Sequence, residues 1–168
     1  RDWSSDVCSS DLGAHVVAVD TNEETGQAIA KEVGGKFVKA DVTTSAQVEN
    51  MYKVAFDTYG RIDIAFNNAG ISPPDDDSIL VTGIDAWERV LRVNTTSVYL
   101  CCKAVIPYML KAKKGSIINT ASFVATMGAA TSQIAYTASK GGVLSMSREL
   151  GVQFAREGIR RSEEHTSE

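Results

Sequence analysis

The chain has 168 residues, 43% of them hydrophobic and 23% charged, with a formal net charge of −4. That composition fits one globular domain and no disordered, fibrous or disulfide-framework class. No apolar run approaches the roughly 18 residues that span a bilayer, and the start lacks the basic-then-apolar layout of a secretion signal, so the expectation is a soluble, cytoplasmic protein with no membrane partner.

The two ends read unlike the middle: residues 1–12 and 161–168 are polar, Ser-rich and without periodicity. One DNA segment read on its two strands encodes both Ser5-Asp6-Val7-Cys8-Ser9-Ser10-Asp11-Leu12 and residues 161–168. That segment resembles a sequencing-library adapter, so both ends are expected to be non-native and are set aside, leaving residues 13–160 as the domain. Without Arg1, Arg161 and the six acidic residues of the ends, 15 basic and 15 acidic residues remain. A neutral body gives no reason to expect nucleic acid or an acidic surface as partner. Of the cysteines outside the ends, Cys101 and Cys102 are adjacent on a predicted helix. That is neither metal spacing nor an easy disulfide, so no metal site is expected and buried thiols are.

From Ala14 onward, short apolar runs alternate with stretches of helical period, the pattern of an α/β fold with a parallel sheet covered by helices. His15-Val16-Val17-Ala18-Val19 predicts a buried strand ending at Asp20, followed by a helix over 23–33 closed by Gly34-Gly35 and a strand over 36–40. Thr44 starts a helix whose apolar stripe Val48, Met51, Tyr52, Ala55, Phe56 and Tyr59 runs to a stop at Gly60. A third strand over 62–66 runs into Asn67-Asn68-Ala69-Gly70, and a polar loop from Ser72 to Asp77 follows. Helices are predicted over 84–93 and 95–113, a fourth strand over 116–119, a loop, and a long helix over 135–157.

The strongest chemical signal is Tyr136-Thr137-Ala138-Ser139-Lys140, because a four-residue step stacks the phenol and the ammonium on one helix face. A free phenol titrates near pH 10, and a neighbouring cation favours its ionised form, as a general acid or base working nearer neutrality requires. On an exposed helix face a Tyr and Lys so spaced are more often solvated neighbours. The context favours chemistry: Ile117-Ile118-Asn119-Thr120-Ala121-Ser122 ends a strand just upstream, placing a hydroxyl at the carboxyl edge of the sheet, where open α/β sheets bind ligands.

Taken in order, Asn67-Asn68-Ala69-Gly70, Asn94 within Val93-Asn94-Thr95-Thr96-Ser97, Ser122, and Tyr136 with Lys140 resemble the motifs of the short-chain dehydrogenase/reductase family, over about residues 13–160. The resemblance implies a Rossmann-like doubly wound sheet with helices on both faces, and transfer of a hydride between a nicotinamide cofactor and a secondary alcohol or ketone. It implies that Tyr136 moves the proton, Lys140 lowers the Tyr136 pKa and holds the nicotinamide ribose, Ser122 orients the carbonyl, and Asn94 anchors a water of the proton relay. The protein thus supplies positioning and acid–base groups while the cofactor carries the redox step. Ser122 stands 14 residues before Tyr136, one more than the usual family step, which leaves Thr120 and Ser132 as rivals for its role.

For the cofactor, the resemblance implies contacts from Asn68, Ala69 and Gly70, although Asn and Gly also suit a plain strand-ending turn. Asp41 and Val42 would lie beside the adenine, with a helix N-terminal acid as the alternative for Asp41. Asp20, at the end of a strand, would accept the ribose hydroxyls and repel a 2′-phosphate, favouring NAD over NADP; an ordinary capping Asp is the other reading. Neither the family's glycine-rich phosphate turn with the strand before it, nor its C-terminal strands, is found between residues 13 and 160. The chain as written is therefore expected to bind NAD poorly, with an opening in the sheet between the strands near His15 and Ile62. Family tetramers or dimers would contact through the helices at 95–113 and 135–157. A 3-oxoacyl-thioester reductase and a non-enzymatic nucleotide-binding relative are the alternatives.

Overall fold

The structure is a computed structural model that describes residues 13–166, with side chains through Ser162. Cys8 and the rest of the first twelve residues lie outside the described residues. Strand β1 (Val17–Asp20) leads into helix α1 (Glu23–Glu32), which Asn22 caps by accepting the Thr25 N–H. Gly34, at φ +61°, then turns the chain into β2 (Lys36–Lys39), and Gly60, at φ +72°, ends α2 (Ser45–Tyr59). Both glycines take the left-handed conformation that closes helices, as their positions in the sequence suggested. The α2 stripe buries Val48, Met51 and Tyr52. Further along, Phe56 packs on Tyr108 and Tyr59 stacks on His15 with ring centroids 4.9 Å apart, giving that histidine a partner.

Strand β3 (Ile64–Asn67) starts two residues later than the apolar run suggested. Beyond it, what reads as two separate helices is one continuous rod: α3 (Ile84–Leu91), a π-helical turn (Arg92–Thr96) and α4 (Ser97–Ala112). The wide turn absorbs an extra residue without breaking the helix, which periodicity could not distinguish from a break at Asn94. Strand β4 (Gly115–Ser122) is twice its predicted length, since its polar end, Thr120 to Ser122, also pairs in the sheet. A short 3₁₀ turn (Phe123–Ala125) and a loop lead to the long helix α5 (Ile134–Phe154). Strand β5 (Ile159–Thr166) then runs parallel to β4 from Gly115 to Ser122. It thus includes most of the C-terminal residues set aside from the sequence; the open edge of β4 offers a ladder that any extended segment can complete.

Among the described residues all strands are parallel, and they form two sheets, β1–β2 and β3–β4–β5. Among the described residues β1 pairs only with β2, and β3 only with β4 and not with β1, which is the opening in the sheet expected from the resemblance. Helices α2, α4 and α5 supply one side of the core, around Val48, Val105, Met109, Ile117 and Val143. Each of these fully buried side chains contributes about 1.5–3 kcal/mol by leaving water. Helix α1 packs on β1 and β2. The other face of β3 is open: Ala65 and Asn67 point inward, while Ile64 and Phe66 are 54% and 59% exposed. The order of elements and the parallel pairing make this the α/β, Rossmann-like arrangement that the sequence suggested.

Candidate active site at the carboxyl edge of β3 and β4

The side chains singled out in the sequence converge where β3 and β4 end and α5 begins. Lys140, one turn into α5 beyond Tyr136, is 4% exposed, and its Nζ donates to the backbone carbonyl of Thr120 at 2.7 Å. Burial pushes the Lys140 ammonium below its ordinary value, because a charge loses hydration there. The same Nζ stands 5.6 Å from the centroid of the Tyr136 ring, so the four-residue step does bring phenol and cation to one face. Tyr136 itself is half-buried.

Asn94 sits in the π-helical turn and is 1% exposed. Three bonds hold its side chain: Oδ1 accepts the Ile71 N–H at 2.7 Å, and Nδ2 donates to the Ile71 carbonyl at 2.9 Å and to Ser139 Oγ at 3.0 Å. The amide therefore ties the segment after β3 to α5, and π-helical turns of this kind concentrate at functional sites. Ser122 is the last residue of β4, 2% exposed, with Oγ accepting the Val124 N–H. Of its rivals, Thr120 is buried and donates its hydroxyl to Asn68 Oδ1 at 2.9 Å, and Ser132 lies exposed in the loop before α5.

Asn68, Ala69 and Gly70 are exposed beside this cluster. A Cβ on Gly70 would stand 3.3 Å from Asn94 Oδ1 and 3.6 Å from Lys140 Nζ, so glycine here keeps the approach to both groups clear. Behind them runs a buried polar chain from Asn67, whose motif the resemblance implies to steady the central strands, to Asn119 and Ser147, which the sequence did not single out. Asn67 Nδ2 donates to Asn119 Oδ1, and Asn119 Nδ2 donates to Ser147 Oγ, each at 2.8 Å. It joins β3, β4 and α5 at fixed register, and no buried side-chain N or O among the described residues lacks a partner. Its members are ordinary Asn and Ser in sequence, and only the pairing of Asn67 with Asn119 across the ladder marks them.

The other predicted residues lie at the carboxyl end of the second sheet. Asp20 is exposed at the end of β1; its Oδ1 accepts from the Asn22 N–H at 2.8 Å and weakly from the Thr21 hydroxyl, while Asn22 performs the helix capping. Asp41 folds its carboxylate back on the N–H and hydroxyl of Thr43, both at 2.8 Å, with half-buried Val42 beside it. Cys101 and Cys102 are buried free thiols, as expected, pushed up by burial to about 11 and about 12 and so held as unreactive thiols. No cluster of metal-ligating residues occurs among the described residues, and no helix of theirs is long and apolar enough to cross a membrane.

Comparison with known proteins gives the same answer as the motifs. Residues 9–163 match the family model described as short chain dehydrogenase. The chain is 39% identical over 154 residues to secoisolariciresinol dehydrogenase of Forsythia intermedia, covering 90% of this chain and 55% of that protein. It is 37% identical to a 3-oxoacyl-[acyl-carrier-protein] reductase of Chlamydia pneumoniae, covering 88% of this chain and 60% of that one. Among solved structures, that of gox2181 superposes with a TM-score of 0.88 at 27% identity, and a putative short-chain dehydrogenase/reductase from Burkholderia xenovorans with 0.82 at 31%. Each match covers 92% of this chain and 62% of the other, so the chain spans somewhat over half the length of the proteins it resembles. With the motifs in order, the geometry assembled and the family matched over nearly the whole chain, the chain belongs to the short-chain dehydrogenase/reductase family of oxidoreductases.

Proposed function

We propose that residues 13–160 are the catalytic part of an enzyme that interconverts a secondary alcohol and its ketone with a nicotinamide cofactor. The observation that carries this reading is Lys140: a lysine held 4% exposed, bonded to the Thr120 carbonyl and facing the Tyr136 ring, next to a strand that ends in Ser122. Burying an ammonium costs stability, and nothing in the packing calls for a lysine there, so a role in chemistry explains it best. The same feature argues against a non-enzymatic relative.

In the oxidising direction Tyr136 accepts the hydroxyl proton as the C–O bond becomes a carbonyl, and in the reducing direction it returns that proton. Ser122, at the strand end, donates to the substrate oxygen and orients it. Lys140 faces the phenol and would hold the ribose of a bound nicotinamide nucleotide, and Asn94, immobilised by Ile71 and Ser139, would anchor a water of the proton relay. A nicotinamide, when bound, supplies or takes up the hydride. The residues present fit such a group: the exposed Asn68-Ala69-Gly70 edge lies against Lys140 and Asn94 with no side chain at Gly70 to crowd them, and the half-buried Asp41 and Val42 stand at the end of β2 where an adenine would lie. Asp20 favours NAD over NADP, since nothing among the described residues bonds its second carboxylate oxygen, leaving it to accept ribose hydroxyls. A 3-oxoacyl-thioester reductase using NADP is the second reading, favoured by the relative from Chlamydia pneumoniae. The protein would act in the cytoplasm as a tetramer or dimer built on α4 and α5.

Steady-state turnover of the full-length protein and of its Tyr136→Phe variant, with secondary alcohols and each nucleotide, tests the assignment. Loss of turnover by about a hundredfold or more is expected for removal of a general acid–base. Retained turnover in the variant would refute the role of Tyr136.

A further inference from the structure

The loop between β3 and α3 contains an aspartate that no motif marks. Asp76, in the run Asp75-Asp76-Asp77, is 5% exposed, although the loop around it is largely open. Its Oδ1 accepts the Ala135 N–H at 2.9 Å and its Oδ2 accepts the Tyr136 N–H at 2.7 Å. Both oxygens are thus spent on consecutive amides of the first turn of α5, some sixty residues away in sequence.

Among the described residues no other side chain caps that turn. Gln133, the residue before the helix, makes no side-chain capping bond. The Ile134 N–H goes to the Asp77 carbonyl, and the Thr137 N–H to the Gln133 carbonyl. A helix start leaves its first amides without internal partners, and here the loop supplies three of the acceptors, with the carboxylate charge opposing the positive end of the helix dipole. The loop is itself braced. Arg89 donates to both oxygens of Asp75 at 2.6 and 2.7 Å, the Asp77 N–H donates to Thr82 Oγ1, and Ile71 is clasped by Asn94. The consequence falls on Tyr136, because it is the third residue of α5 and its own backbone N–H is one of the two bonds. The direction of its side chain is set by a turn that would otherwise fray.

We infer that Asp76 is a positioning residue for Tyr136: it holds the first turn of α5 in helical geometry and so places the phenol for proton transfer. The inference rests on the role proposed for Tyr136 and is tested separately from it. In the full-length protein, Asp76→Asn keeps the size of the side chain but loses the charge and one of the two acceptors, while Asp76→Ala loses both. Without nucleotide, amide exchange at Ala135 and Tyr136 is expected to quicken by about tenfold in Asp76→Asn and further in Asp76→Ala, with little change at Lys140 and beyond. Turnover should fall by about tenfold in Asp76→Asn while KM holds, since misplacement of a reacting group affects the chemical step rather than binding. In a Tyr136→Phe background Asp76→Asn should cost nothing further.

Unchanged exchange at both amides would overturn the inference whatever Tyr136 does. So would a full additional loss of turnover in the double variant, or a fall in kcat matched by general loss of fold. If instead Tyr136→Phe alone retains turnover, the catalytic reading fails, and the exchange data decide the capping on their own.

Discussion

In the half of the molecule built from β3, β4 and α5, Asn67, Asn94, Asn119, Ser139, Lys140 and Ser147 are buried, and their hydrogen bonds cross between elements. At the ends of β1 and β2, Asp20 and Asp41 lie at or near the surface, and their carboxylates bond only to residues one or two positions along the chain. The difference is the one that the proposed roles of the two halves would require. Groups that move a proton must be held before substrate arrives, because misplacement by an ångström costs rate. Groups that recognise a sugar through hydroxyls can stay hydrated and exchange water for ligand. The polar chain in the first half also keeps β3, β4 and α5 in one register, which a purely apolar interface would specify less sharply.

The largest effect that can break this comparison is a change in the buried chain. Asn119→Ala removes partners from both Asn67 and Ser147 and is expected to cost about 2–4 kcal/mol, since each stranded polar group costs about 1–3 kcal/mol. Chemical denaturation of the full-length protein measures it; a loss under about 1 kcal/mol would mean that water satisfies these groups equally well.

Lys140 sharpens the comparison through pH. Its folded-state value lies below the ordinary 10.5 because of burial, so the unfolded chain binds the proton more readily. The penalty is therefore fully present below the folded value and is relieved as pH rises from that value toward 10.5, and stability should rise with pH across that window. Lys140→Met should abolish turnover and flatten the rise, as denaturation at several pH values would reveal. An unchanged slope would assign the rise to another group.

The smallest effect is expected in the exposed half. Asp20→Asn should change stability by no more than about 0.5 kcal/mol, as surface substitutions do, while shifting nucleotide preference toward NADP by about tenfold. Competitive binding of the two nucleotides reports it, and an unchanged ratio would leave Asp20 as a local turn residue.

Much of this is legible in the sequence alone. The α/β order, the closing glycines Gly34 and Gly60, and the facing of Tyr136 and Lys140 all follow from local rules of period and backbone freedom. What stayed hidden depends on contacts distant in sequence. The π-helical turn at Asn94 read as a break because a single inserted residue leaves the apolar pattern nearly unchanged. Asp76 read as one of three loop acids, since a cap supplied from sixty residues away leaves no trace at the helix it caps. The outward direction of Ile64 and Phe66 was equally invisible, because an apolar strand does not say which of its faces the fold will cover.

The central claim is that the β4–α5 edge carries out the proton transfer while the β1–β2 edge serves recognition. It is tested most directly by measuring nucleotide binding and turnover together in full-length Tyr136→Phe. The account predicts a dissociation constant within about twofold of the unmodified protein and turnover reduced by about a hundredfold or more. Turnover that persists, or a loss of nucleotide binding as large as the loss of turnover, would contradict it.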